Sequence, residues 1–143
     1  MTPSGAIDHV VANAGIAIDD EVFFYDGMLV LFCSSPLELT PLPTGPEYPS
    51  KPPNLKTIDV NIRGVLYTSK LAMHSFIRQN GTGGPSPSQT DTSLTLIGSG
   101  AAFLDCPRGV QYQSSKWGAR GIMHALRRTT HFYGSRVNMI SPW

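Results

Sequence analysis

Tyr112 and Lys116 are the residues of this chain whose types and spacing most directly suggest proton chemistry. They stand four residues apart, and residues four apart in a helix lie one above the other on the same face. A phenol gives up its proton reluctantly near neutral pH, and a neighbouring ammonium stabilises the phenolate. The pair therefore predicts a tyrosine that works as a general acid and base.

A second hydroxyl group precedes this pair by thirteen residues. Ser99 lies between Gly98 and Gly100, directly after the alternating segment 93–97. Such a segment is typical of a strand, and glycines mark its end. A hydroxyl at that place can hold a carbonyl or alkoxide oxygen beside the phenol.

The elements that must position these groups alternate along the chain. β-Branched and alternating segments predict strands, and apolar residues at helical spacing predict two long helices. In chain order these are strand 7–13, helix 54–80, strand 93–97, helix 109–133 and strand 136–140. The order β-α-β-α-β predicts an α/β fold, a partial Rossmann-like, doubly wound parallel sheet with right-handed crossovers. Ligands of such sheets bind outside the carboxyl ends of the strands, where Asn13-Ala14-Gly15 and Ser99 fall.

Five short motifs occur in a fixed order along the chain. They are Asn13-Ala14-Gly15, Asp59-Val60-Asn61, Ser99, Tyr112-Gln113-Ser114-Ser115-Lys116, and Arg136-Val137-Asn138-Met139-Ile140-Ser141-Pro142. Together they resemble the short-chain dehydrogenase/reductase family of classical type, from its fourth strand to its sixth. The amino-acid sequence is most similar to that of fungal members that act on secondary alcohols or ketones of specialised metabolism.

The resemblance implies catalytic roles for four residues. Tyr112 would be the general acid and base, and Ser99 would orient the reacting oxygen. Lys116 would assist the tyrosine and bind the ribose hydroxyls of a nicotinamide cofactor. Asn61 would hold a water molecule that continues the proton relay to Lys116.

The resemblance also implies a cofactor and partners. NAD or NADP would be held by Asn13, Ala14, Gly15, Tyr112 and Lys116, and hydride would pass between it and a small-molecule alcohol or carbonyl substrate. In the family the two long helices form the faces of a homo-oligomer. The implied function is an NAD(P)-dependent oxidoreductase.

The sequence departs from the family pattern at both ends. Only twelve residues precede Asn13, where the family has a whole half with the Gly-rich phosphate-binding turn and the residue that selects NAD or NADP. The chain ends at Pro142-Trp143, where many members read Pro-Gly and continue. We therefore expect an incomplete domain over residues 1–143. The alternative function is a catalytically inactive fragment, at most an interaction partner of an intact relative.

A Pro-rich insertion is predicted at residues 28–53. Seven of the twelve prolines lie between Pro36 and Pro53, and neither a helix nor a central strand runs through them. Residues 28–45 are interpreted either as a retained in-frame intron or as a surface loop, and the sequence leaves both open.

Composition excludes several other classes of function. A net charge of +1, with 15% charged residues, argues against a nucleic-acid or membrane-surface partner. Cys33, Cys106 and the four histidines match no metal-binding spacing, so no metal site is predicted. The absence of a targeting signal before Gly15 favours a cytoplasmic location.

Overall fold

The computed structural model describes residues 5–18, 54–107 and 109–143. The predicted insertion at 28–53, with its segment 28–45, lies outside the described residues. In the part of the chain that is described, no helix is long and apolar enough to cross a membrane.

Three parallel strands form the sheet, in the order β1 (His9–Ala12), β2 (Thr92–Ile97) and β3 (Ser135–Ile140). Val10 lies opposite Leu94, which in turn lies opposite Val137. The partial Rossmann-like α/β arrangement is therefore confirmed, with each strand joined to the next through helical structure.

The first strand is shorter than the predicted 7–13. Ile7 lies outside the strand, and its main-chain groups pair with the Gln79 side chain instead of with β2. The Ile7 N–H donates to Gln79 Oε1 at 2.6 Å, and Gln79 Nε2 donates to the Ile7 carbonyl at 3.0 Å.

The first helical segment contains a wide turn. It begins with α1 (Lys56–Ile58), passes through a π-helical turn at Asp59–Arg63, and continues as α2 (Gly64–Asn80). Gly81 ends it with a φ of 74°, which favours glycine. The predicted helix 54–80 is thus confirmed apart from its first two residues. The Asn54 side chain accepts the Lys56 N–H at 3.1 Å.

The second long helix, α3 (Val110–Leu126), ends earlier than predicted. The expectation that it continues to Tyr133 is wrong, since a separate short 3₁₀ turn forms at Thr130–Tyr133 before left-handed Gly134. The Thr129 hydroxyl donates to the Leu126 carbonyl at 3.1 Å, and such side-chain bonds compete with helix continuation. The break turns Thr130 into the interior.

One hydrophobic core holds both long helices against the same face of the sheet. Strand residues on that face pack against α2 and α3, because alternate side chains of a strand point the same way. The buried members are Ala12, Val65, Ala72, Phe76, Leu94, Leu96 and Val137, with Ile122, Met123 and Leu126 of α3 packed against them.

The π turn packs closely on α3. A Cβ atom on Gly118 would lie 2.8 Å from Ile62 Cδ1, so any larger residue there would displace Ile62. This approach places Asn61, on the π turn, beside the first turns of α3, which carry Tyr112 and Lys116.

Candidate active site

An open cavity of about 310 Å³ lies at the carboxyl ends of β1 and β2. Polar groups from three separate parts of the chain line it, as the sequence predicted for this edge of the sheet. The lining residues are Asn13, Gly15, Ile16, Ala17, Ile97, Gly98, Ser99, Tyr112, Lys116, Pro142 and Trp143. The candidate residues Ala14 and Asn61 are not among them.

Lys116 is the cation of the cavity. Its side chain is largely buried, and Nζ donates to the Ile97 carbonyl at 3.1 Å. Nζ also stands 5.5 Å from the centre of the Tyr112 ring. Burial lowers the pKa of the Lys116 ammonium below its ordinary value of 10.5, because desolvation penalises the charged form. An anionic group in the cavity would oppose this shift, because a nearby negative charge favours the charged ammonium.

Ser99 begins the turn that follows β2. Its backbone is extended, and its Oγ accepts the N–H of Ala101 at 3.2 Å. A hydroxyl that accepts one bond still carries its own proton for a second partner. Ser99 can therefore donate a hydrogen bond to an oxygen atom in the cavity.

Gly98 allows the ends of β2 and β3 to meet beside Ser99. A Cβ atom there would lie 2.7 Å from Ser141 Oγ and 2.8 Å from Met139 Sδ. The Gly98 N–H donates to the Ile140 carbonyl at 2.7 Å. A larger residue there would have to displace the Ser141 and Met139 side chains.

Asn61 is buried behind the cavity and holds the loop after β1. Its Oδ1 accepts the Ile16 N–H at 2.8 Å, and its Nδ2 donates to the Ile16 carbonyl at 2.8 Å. Nδ2 also donates to Ser115 Oγ at 3.0 Å. Both amide hydrogens are thereby engaged. The side chain fixes the loop, while the role of Asn61 in holding a relay water stays a prediction.

Ser115 completes this connection and was missed in the sequence. It is fully buried, and its hydroxyl donates to the Tyr112 carbonyl at 2.7 Å while accepting from Asn61. The signal was its position three residues after Tyr112, the spacing of a side-chain bond back to the helix backbone. Through Ser115 the loop, the π turn and the first turn of α3 form one hydrogen-bonded unit.

Gly15 lies where the loop passes between Asn61 and Lys116. A Cβ atom there would stand 3.4 Å from Asn61 Oδ1 and 3.5 Å from Lys116 Nζ. These are ordinary van der Waals distances, and Gly15 is not one of the described glycines with a positive φ, so the position tolerates a small side chain.

The structure thus brings Asn13, Gly15, Ser99, Tyr112 and Lys116 to one cavity, with Asn61 directly behind it. The described ranges contain no group of three or more His, Cys, Asp or Glu side chains that could hold a metal ion.

Residues 46–143 match the family model for short chain dehydrogenase. The chain is 36% identical to the 5'-hydroxyaverantin dehydrogenase of Dothistroma septosporum. The match covers all of this chain and 42% of that protein. It is 32% identical to the 5'-hydroxyaverantin dehydrogenase of Emericella nidulans, and that match covers all of this chain and 44% of the relative. The chain therefore spans less than half the length of these curated relatives.

Solved structures share the fold. A gluconate 5-dehydrogenase from Burkholderia cenocepacia, in complex with NADP and tartrate, superposes with a TM-score of 0.64 at 20% identity, covering 98% of this chain and 42% of that one. A 4-hydroxyisoleucine dehydrogenase complexed with NADH gives a TM-score of 0.64 at 17% identity, covering 96% of this chain and 46% of that one.

Replacing Ser115 with alanine should destabilise the chain. The substitution leaves an Asn61 amide hydrogen buried without its partner, which costs about 1–3 kcal/mol. Urea denaturation measures the free energy of unfolding, and Ser114→Ala is the matched control because Ser114 is the exposed neighbour. Equal free energies of unfolding for the two variants would show that the Asn61–Ser115 hydrogen bond makes no such contribution to stability.

Burial of the Lys116 ammonium predicts a pH dependence of stability. At a pH between the lowered pKa and 10.5, Lys116 holds more protons in the unfolded chain than in the folded one. Its contribution to the free energy of unfolding therefore rises with pH in that window. Below the lowered pKa the desolvation penalty is fully present.

The comparison of wild type with Lys116→Met isolates this effect. We expect the unfolding free energy of the wild type to increase relative to the variant as pH rises from neutral towards 10.5. Lys70→Met, at an exposed lysine on α2, is the control for removal of a surface charge. A difference between wild type and Lys116→Met that does not change with pH would contradict the prediction.

Proposed function

Because the chain belongs to the short-chain dehydrogenase family, we propose that it carries the catalytic half of an NAD(P)-dependent oxidoreductase that interconverts a secondary alcohol and a ketone. The observation that supports this most is the convergence of Ser99, Tyr112 and Lys116 on one cavity. These residues supply two hydroxyl groups and a cation where strands of a parallel sheet end, the usual ligand site of such folds.

The residues present fit the ribose end of a nicotinamide nucleotide. An ammonium has three N–H donors, and in the described structure one of those of Lys116 meets Ile97. The remaining donors can serve a pair of ribose hydroxyls. Asn13 and Gly15 would lie along the nucleotide, since both line the same cavity. Ala14 does not line the cavity, and its place in the cofactor site stays a prediction.

Proton transfer in this proposal belongs to Tyr112. During alcohol oxidation the Tyr112 phenolate would take the O–H proton of the alcohol, and a bound nicotinamide would be the acceptor of its C–H hydride, which would leave the ketone. In the reverse direction the phenol returns the proton to the developing alkoxide. When bound, a nicotinamide ring supplies the carbon that accepts or donates the hydride.

Ser99 and Lys116 assist this transfer in different ways. The Ser99 hydroxyl donates a hydrogen bond to the substrate oxygen, stabilising the negative charge that develops there. The Lys116 ammonium, close to the ring of Tyr112, stabilises the phenolate. Because Lys116 is buried, this charge interaction is screened less than one between solvent-exposed groups.

Asn61 and Ser115 are positioning residues. They fix the loop carrying Asn13 and Gly15 to the helix carrying Tyr112 and Lys116. Pre-organised donors need no rearrangement as charge develops, so this connection supports the rate without touching the substrate.

We further propose that a second copy of the chain covers the exposed face of the long helices. Tyr67 and Leu71 are one turn apart on α2 and are 64% and 69% exposed, and Trp117 on α3 is half exposed. Large apolar side chains left in solvent at helical spacing are typical of an interface.

Replacing Leu71 with aspartate should therefore lower the degree of association, because the interface would bury an unpaired carboxylate. Analytical ultracentrifugation measures the mass in solution. Arg128→Asp introduces the same group at an exposed position after α3 and should leave the mass unchanged. A wild type that sediments as a monomer would rule out the self-association.

Tyr112→Phe should strongly lower the proposed turnover, with cofactor affinity measured separately by calorimetry because Tyr112 is also a candidate cofactor contact. Removal of one hydroxyl deletes the general acid and base, which is worth about 10²- to 10⁴-fold in rate. Cofactor oxidation followed by absorbance measures the loss, and Tyr133→Phe is the control outside the cavity. Unchanged turnover in Tyr112→Phe would remove the tyrosine from the mechanism.

Titration of the purified chain with NADH and with NADPH separates this proposal from its alternative. Calorimetric binding of either nucleotide supports the oxidoreductase and identifies the preferred cofactor. Absence of binding at millimolar concentration would favour the alternative, a catalytically inactive chain that interacts with an intact relative.

A further inference from the structure

The main chain between Ser99 and Tyr112 is fastened to α3 by a side-chain amide. Gln113 follows Tyr112 directly in the sequence. The Cys106 N–H donates to Gln113 Oε1 at 3.2 Å, and Gln113 Nε2 donates to the Leu104 carbonyl at 2.9 Å. One side chain thus supplies both an acceptor and a donor to this stretch of main chain.

Arg120 makes a second attachment two turns further along α3. Its Nη1 donates to the Ala102 carbonyl at 3.2 Å. Its guanidinium carbon lies 4.2 Å from the centre of the Phe103 ring and 5.3 Å from that of the Trp117 ring. At such distances a cation and an aromatic face attract each other. Residues 102–106 are therefore held to the helix at two places.

The fastened residues are continuous with the turn that carries Ser99. In that turn the Ala102 N–H donates to the Ser99 carbonyl at 3.0 Å, and the Leu104 N–H donates to the Gly100 carbonyl at 3.1 Å. Because these hydrogen bonds close short loops of the chain, a displacement of Leu104 also displaces the turn. The attachment of Leu104 to α3 therefore helps to set where the Ser99 hydroxyl stands relative to Tyr112.

We propose that Gln113 is a positioning residue, which holds the Ser99 turn beside Tyr112 through the main chain of residues 104–106. The inference rests on the proposed function and deepens it, since it adds a residue that acts on the site from outside the cavity. Gln113 does not line the cavity. Its effect on the proton transfer passes through the placement of the Ser99 hydroxyl.

The loop after β1 is held in the same manner. There the carboxamide of Asn61 pairs with the N–H and the carbonyl of Ile16, and here the carboxamide of Gln113 pairs with an N–H and a carbonyl of residues 104–106. In both places the main chain belongs to no strand. A carboxamide suits this task because it offers a donor and an acceptor at any pH.

Amide hydrogen exchange followed by NMR tests the proposal without requiring turnover. Gln113→Met keeps the length of the side chain and removes both hydrogen bonds. We expect the protection factors of the Ala102 and Leu104 amides to fall about two- to tenfold, the change that corresponds to one net hydrogen bond. Gln79→Met is the matched control, because it makes the same substitution in an amide that pairs with Ile7. It should leave the Ala102 and Leu104 amides unchanged.

Gln113→Glu gives a rescue that a general loss of stability would not show. A carboxylate only accepts hydrogen bonds, whereas a protonated carboxyl group also has an O–H donor. Protection of the Ala102 and Leu104 amides, taken relative to wild type at each pH, should be low at neutral pH. It should recover in acid, where the carboxyl group is protonated. Gln113→Met should show no such recovery.

Three results would overturn the positioning role. One is unchanged protection in Gln113→Met at all amides of residues 101–106. Another is a loss confined to the Cys106 amide, the direct partner, which indicates a local contact only. The third is a released turn with unchanged kcat for alcohol oxidation, since we expect kcat to fall in Gln113→Met with the nucleotide dissociation constant unchanged. The proposed function fails separately, because amide exchange reports on the Ser99 turn whether or not hydride is transferred.

Discussion

The side-chain amide of Asn61 is the contact on which the candidate site depends. It pairs with the N–H and the carbonyl of Ile16, as a neighbouring strand would. Its other amide hydrogen is donated to Ser115 Oγ. Residues 13–18 after β1 belong to no strand, and the part-buried main-chain groups of Ile16 would cost free energy if they were left without a partner. Asn61 satisfies them and at the same time ties the loop to α3, so that Asn13 and Gly15 face the same cavity as Tyr112 and Lys116.

The π turn makes this contact compatible with helix packing. Asn61 belongs to the wide turn between α1 and α2, and the adjoining residue Ile62 packs where Gly118 leaves room on α3. π turns inside helices are rare and are frequent at functional sites. The side chain that binds the loop and the side chain that fills the helix interface are therefore neighbours in sequence, which links the position of the loop to the packing of the helices.

Much of the fold could be predicted from the sequence because the signals were local. Hydrophobic periodicity gave the helix ending at Asn80 and the strand ending at Ile97, and chain order gave the parallel sheet. The end of α3 was mispredicted, because the apolar spacing continues to Tyr133 while the hydroxyl bond of Thr129 to Leu126 breaks the helix. The shortened β1 also escaped prediction, since the Gln79 side chain that pairs with Ile7 lies far away in sequence.

The polar residues that line the candidate site could be predicted from the sequence, but the hydrogen bonds that hold them in place could not. Tyr112, Lys116 and Ser99 carry recognisable chemistry at recognisable spacing, and the structure places them at one cavity. The burial of Ser115 and the pairing of Asn61 with Ile16 depend on how three elements meet, which no local pattern encodes.

Isotope transfer tests most directly whether hydride passes from an alcohol to a nicotinamide cofactor in this cavity. The folded chain would be incubated with NAD or NADP and a secondary alcohol deuterated at its carbinol carbon, and the reduced cofactor analysed by mass spectrometry. We expect one deuterium in the reduced cofactor, and we expect this transfer to be lost when Tyr112 is replaced by phenylalanine. A folded, nucleotide-bound chain that transfers no deuterium from any secondary alcohol, aromatic or saturated, would contradict it.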